Sequence, residues 1–156
     1  MLTRANRTET VQTAILSDAE RQQLIGRLHA EQCSCVIANG RQARTFRERG
    51  VRDLFRLLSE EPGVLDGAFV ADKVVGKGAA ALMILGGVRE VYADVMSAGA
   101  RELLAARGVR AVCAREVPHI VNRAGTGWCP VETLCRDCRT AEECLEPIRN
   151  FIHTLS

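Results

Sequence analysis

The sequence predicts an α/β domain built on a mostly parallel sheet with helices on both faces. Apolar runs of strand length at Ala68–Ala71, Val91–Met96 and Val109–Ala114 alternate with helical segments, as parallel strands joined by crossover helices do. Asn39-Gly40 separates two short strand-like runs, so the first pair is a hairpin that supplies an antiparallel strand. The small residues Gly76, Gly78, Ala79, Ala80 and Ala81 let the helix that carries them lie close on a sheet.

Each element has its own signal. Residues 1–16 read as a polar tail, and 17–156 as one domain with a Cys-rich C-terminal segment. Ser17 or Asp18 caps a helix to about Glu31, with Leu24, Ile25 and Leu28 as its apolar stripe. Cys33–Ile37 and Gln42–Phe46 are the hairpin strands. A helix after Gly50 buries Val51, Leu54, Phe55, Leu57 and Leu58, and ends near Glu61-Pro62-Gly63. Asp72 is expected to cap a helix running from Lys73 to about Leu85, stopped by Gly86-Gly87. Ser97–Arg107 is a helix closed by Gly108, and residues 116–139 are a long punctuated loop. Thr140 and Glu143 form a capping box, and Pro147 is expected to break the last helix.

Composition narrows the function classes. At 156 residues, 47% hydrophobic and 26% charged, the chain is an ordinary globular domain. Its net charge of +2 is too small to point to nucleic acid or a membrane as partner. No export signal is evident and the longest apolar run is too short to span a bilayer, so a cytoplasmic protein is expected. The seven cysteines would then serve as metal ligands or in catalysis rather than as a disulfide framework. Nothing opposes a homo-oligomer.

The two lysines of the chain, Lys73 and Lys77, draw attention because every other strong cation is an arginine. Lysine shifts its pKa on burial and can act as a base, which arginine cannot. With Asp72 as cap, both would stand near a helix N-terminus at the end of a central strand, where open α/β sheets bind anions. The plain alternative is two charged positions on one helix. The expected pocket combines Asp72, Lys73, Lys77 and Ser97 with the loop Asn122, Arg123, Gly125, Thr126, Gly127 and Cys129, around a small anionic or nucleotide-like ligand. Arg123 would hold a phosphate or carboxylate, Trp128 would stack on a flat ring, and Cys129 offers a nucleophile. Arg49 belongs to a basic strip, Arg41 to Arg56, that could face phosphates or simply be solvated. His119 is a further acid or base without an assigned partner. Lys73→Arg is expected to lose ligand binding or turnover while the fold persists, and Lys77→Arg to have a milder effect.

Cys129, Cys135, Cys138 and Cys144 are spaced C-x5-C-x2-C-x5-C. The central pair is a common chelating unit, and four thiolates would complete a zinc or iron–sulfur site. Free, partly buried thiols are the alternative.

The phrases RERGV (Arg47–Val51), VADKVVGKGAA (Val70–Ala80), LGGV (Leu85–Val88) and NRAGTGWCPVE (Asn122–Glu132) resemble an uncharacterised prokaryotic family with a cytidine-deaminase-like fold. That resemblance implies a three-layer fold around a mixed five-stranded sheet ordered 2-1-3-4-5. Deaminases of that fold carry zinc ligands at the starts of two core helices. Here Ala71-Asp72-Lys73 and Met96–Ala100 stand at those places, so the ligands are missing and zinc-dependent deamination loses its nucleophile. Three readings of different class remain. One is a metal-independent enzyme using Lys73 or Asp72 for proton transfer and Cys129 as nucleophile. The others are a metal-cluster protein and a non-catalytic ligand-binding module.

Overall fold

A computed structural model describes residues 16–48 and 51–155. In chain order the elements are α1 (Asp18–Ala30), β1 (Cys35–Asn39), β2 (Gln42–Phe46), α2 (Arg52–Glu60), a 3-10 turn (Pro62–Val64), β3 (Phe69–Val75) and α3 (Lys77–Gly86). They continue as β4 (Glu90–Ser97), α4 (Ala98–Ala106), β5 (Arg110–Val117), α5 (Pro130–Cys135) and α6 (Ala141–Leu155). The five strands form one sheet in the order β2-β1-β3-β4-β5. β1 runs antiparallel to both β2 and β3, whereas β3, β4 and β5 are parallel. This is the α/β class and the 2-1-3-4-5 order expected.

Two apolar clusters hold the layers together. On one face Leu28 of α1 packs with Val36, Phe69 and Ala71, supported by Leu24, Ile25 and Leu16. The other face carries the larger cluster, where Leu54 and Leu57 of α2, the Ala-rich body of α3, Leu104 of α4 and Ile148 of α6 meet Val70, Val75 and Val91. Leu16, placed in the tail, is thus part of the core, and the remainder of the expected tail lies outside the described residues. Among the described residues no helix is long and apolar enough to cross a membrane.

Several caps are those the residues call for. Ser17 Oγ accepts from the Glu20 N–H while Glu20 accepts from the Ser17 N–H, a complete capping box. Gly87 closes α3 at φ 86°, in the left-handed region where glycine is favoured. Other boundaries moved. β1 spans Cys35–Asn39 rather than 33–37, because Cys33 still belongs to the turn off α1, its N–H donating to the Glu31 carbonyl.

The largest correction concerns the lysine stretch. β3 does not stop at Ala71 but runs on to Val75, paired with β4 through Val75 opposite Met96. Val74 and Val75 are β-branched and favour the strand over a helix start. Gly76 is therefore the N-cap of α3, and Lys77 its first residue. Asp72 caps nothing; it and Lys73 are strand residues, so the two lysines do not share a helix face.

The C-terminal segment also differs. A short helix, α5, occupies 130–135 within the expected loop, with Pro130 at its first turn. α6 continues through Pro147 without a break. An interior proline costs about 3 kcal/mol relative to alanine. Here Ala141, Cys144 and Ile148, before and after it, are all fully buried in the main core, and that burial offsets the cost.

Candidate functional site

The carboxyl ends of β3 and β4 lead into the N-termini of α3 and α4, and the segment after β5 folds back over them. Glu132, on the first turn of α5, is the residue that joins these parts. Only 5% exposed, its carboxylate accepts the Lys77 N–H at 2.7 Å and the Ile120 N–H at 2.8 Å. A negative side chain of the protein itself thus satisfies the start of α3, as a helix N-terminus favours. Gly76 makes this possible, since a Cβ there would come within 3.1 Å of Glu132 Oε1.

Lys77 completes the junction. Its ammonium donates to the carbonyls of Arg136 at 3.1 Å and Cys138 at 2.5 Å, and its stem lies over Gly99 at the start of α4. Lys77 is therefore a cross-link between α3 and the turn after α5. Ser97, 1% exposed, accepts the Ala100 N–H as the N-cap of α4. Lys77 and Ser97 thus each hold a structural position at a helix start.

Asp72 and Lys73 diverge. Asp72 is buried on β3 opposite Cys35 of β1 and Ala93 of β4. Burial pushes its carboxyl up to about 7, against hydrogen bonds from the Val74 and Lys73 N–H groups, and Asp94 and Asp53 raise it further. Burial likewise raises the Cys35 thiol, with Asp72 adding to the effect. Lys73 is half-buried, and strand alternation from Ala71 places it on the α1 face, away from Asp72.

The glycine-rich loop is organised by its own side chains. Asn122 Oδ1 accepts the Thr126 N–H at 3.0 Å, its Nδ2 donates to Thr126 Oγ1, and its backbone N–H donates to the Gly127 carbonyl. Gly125 takes φ 71°, which the turn requires. Asn122, Thr126, Gly125 and Gly127 therefore shape the loop, while Arg123 is exposed at its tip. Their product is the placement of Trp128, whose ring stacks on His119 with centroids 4.2 Å apart and planes 11° from parallel. The Arg136 guanidinium lies 5.3 Å from the Trp128 ring centre, within cation–π range. Trp128 remains 37% exposed. His119 thus has a partner, and Arg136 is a residue that sequence reasoning did not single out.

Of the four C-terminal cysteines, Cys135 and Cys144 are fully buried in the main core, and Cys138 packs against it half-buried. Cys129 stands half-buried just before α5, its N–H donating to the Ile120 carbonyl. Among the described residues no group of three or more His, Cys, Asp or Glu side chains has an arrangement that could hold a metal ion. The helix starts tell the same story for a deaminase zinc, since Gly76-Lys77-Gly78 and Ser97-Ala98-Gly99-Ala100 offer neither His, Cys nor Glu. The residues present do not fit that metal. Arg49 lies outside the described residues. A cavity of about 260 Å³ is found elsewhere, lined by Ile37, Asn39, Gln42, Arg44, Gly63 and Val64.

Fold and junction together define a mixed-sheet α/β domain whose central helix start is capped by its own glutamate. Residues 23–152 match the profile of a family described as a domain of unknown function, DUF1893 (TM1506). The chain belongs to the DUF1893 family. It is similar to the crystal structure of a DUF1893 family protein (TM1506) from Thermotoga maritima, with a TM-score of 0.79 and 21% identity, over 87% of this chain and 92% of that one. At that identity the likeness concerns the fold. No curated protein matches.

Proposed function

We propose that this domain is a ligand-binding module whose contact surface is the Trp128 platform, and that it takes a small, flat, anionic ligand of nucleotide-like chemistry. The observation that carries the reading is the part-exposed Trp128 ring with the Arg136 guanidinium 5.3 Å from its centre, in a loop that also carries the exposed cation Arg123. An aromatic face with guanidinium groups around it suits a base together with a phosphate. The self-braced loop supports it further, because a preorganised platform loses little entropy on binding. Binding is favoured over catalysis because the acid–base candidates do not converge. Asp72 is buried within the sheet, Lys73 faces α1, and Lys77 is committed to two carbonyls.

A thermal-shift screen of purine and pyrimidine nucleoside mono- and diphosphates tests this. Occupancy at a hundred times Kd stabilises by roughly 2.7 kcal/mol, enough to move the melting temperature by several degrees. The reading predicts that Arg136→Gln abolishes the shift caused by any hit. A hit whose shift survives that substitution would place the ligand elsewhere.

A further inference from the structure

A second concavity lies at the hairpin end of the sheet. Ala38 of β1 stands opposite Phe69 at the amino end of β3, so this end is remote from the starts of α3 and α4. The hairpin places Ile37 directly opposite Arg44, and Asn39 directly opposite Gln42. Opposed residues share a face, as do positions two apart, so all four project to one side of the sheet. Ile37, 2% exposed, belongs to the larger core cluster, which marks that side as the one α2 covers. α2 ends at Glu60, and the 3-10 turn Pro62–Val64 takes over as the wall. Asn39 ties this wall to the hairpin: its Nδ2 donates to the carbonyls of Gly63 at 3.0 Å, Val64 at 3.2 Å and Asp66 at 2.8 Å. Between hairpin and turn lies the cavity of about 260 Å³. Gly63 puts no side chain into it, and a Cβ there would meet nothing within 4 Å.

We propose that this cavity is a second binding site, for a small apolar carboxylate that also carries an amino group: an α-amino acid with an aliphatic side chain. Its polar fittings are oriented but only partly engaged. Three carbonyls around Nδ2 fix which way the Asn39 carboxamide points, and among the described residues nothing donates to its Oδ1. Arg44 donates through Nη1 to Glu61 at 3.0 Å and lies 5.1 Å from the Phe46 ring centre, so its guanidinium is held in place. Among the described residues its Nε and Nη2 have no partner, which leaves a planar fork suited to a carboxylate. Arg44 and Asn39 are diagonal neighbours across the hairpin, about 7–8 Å apart at their Cα atoms. One ligand can therefore give its carboxylate to Arg44 and its ammonium to Asn39 Oδ1. Ile37 and Val64 supply the apolar floor for its side chain. Glu61, beside Arg44, decides the class. Its carboxylate repels phosphates and dicarboxylates, whereas a zwitterion brings its own positive charge.

The test titrates the isotope-labelled full-length chain with L-leucine and follows its amide signals by two-dimensional NMR. Saturable shifts are expected at the Gly63 and Val64 amides and at the Asn39 side-chain amide. Leucinamide, which lacks the carboxylate, and isocaproate, which lacks the amino group, should each bind at least tenfold more weakly. Arg44→Gln, at a part-exposed position that the fold tolerates, should weaken leucine at least tenfold. Arg115→Gln, which removes the same charge from an exposed position on β5, should leave leucine affinity unchanged. The two ligand analogues read the same contacts in the unaltered protein, so the outcome does not depend on a variant. Absence of saturable shifts, shifts centred away from the hairpin and the 3-10 turn, or leucinamide or isocaproate binding as well as leucine would overturn the proposal. So would an Arg44→Gln protein that binds leucine like the parent.

Discussion

Asp72→Asn is expected to stabilise the protein at alkaline pH and to do little in acid. The folded carboxyl sits at about 7 rather than the ordinary 3.8, so the native state binds this proton more tightly than the unfolded chain does. A group raised in this way contributes its full stability below pH 3.8 and loses it progressively as pH rises to about 7. At 1.36 kcal/mol per pH unit the whole window is worth roughly 4 kcal/mol, an upper figure because the buried site can relax and admit water. About 2–3 kcal/mol of it falls between pH 5 and pH 8.5. Asparagine keeps an oxygen for the Val74 N–H, which Asp72 Oδ1 accepts at 3.2 Å, and it cannot ionise beside Asp94 and Asp53. Urea denaturation of both proteins at the two pH values isolates the effect, since all other titrating groups are shared. The stability difference in favour of the variant should grow by about 2–3 kcal/mol from pH 5 to 8.5. Parallel pH profiles would refute the claim that Asp72 is buried with its carboxyl raised to about 7.

Two further perturbations probe the junction. Gly78→Ala would put a Cβ 2.3 Å from Val131 Cγ1, so α5 must move; a loss of about 1–3 kcal/mol in urea denaturation is expected, and no loss would mean that α5 does not pack there. For stability, arginine should be worse tolerated at Lys77 than at Lys73, because its planar head cannot reproduce the compact ammonium between two carbonyls. Melting temperatures of the two variants test this, and a larger drop for Lys73→Arg would contradict the role given to Lys77.

How much of this was legible in the chain depends on whether the cause was local. The hairpin at Asn39-Gly40, the Ser17–Glu20 box and the glycine stops are local, and each is found where its residues stand. Asp72 misled because an aspartate before an Ala-rich run resembles a cap, whereas Val74-Val75 and Gly76 hold the signal for a longer strand and a later start. α5 is only six residues long, too short for periodicity, and Pro130 followed by Glu132 was its only mark. The roles of Glu132, Lys77 and Arg136 are tertiary. Lys77 and Glu132 are 55 residues apart, and no spacing rule connects them.

The most direct measurement uses the chain's single tryptophan. Trp128 fluorescence should be quenched saturably by the nucleotide that gives the largest thermal shift, because a base bound against the ring changes the surroundings of a residue that is 37% exposed. The midpoint should weaken at least tenfold in Arg136→Gln, a change of about 1.4 kcal/mol. A nucleotide that stabilises the protein yet leaves Trp128 emission unchanged would contradict the assignment of this surface as the binding site.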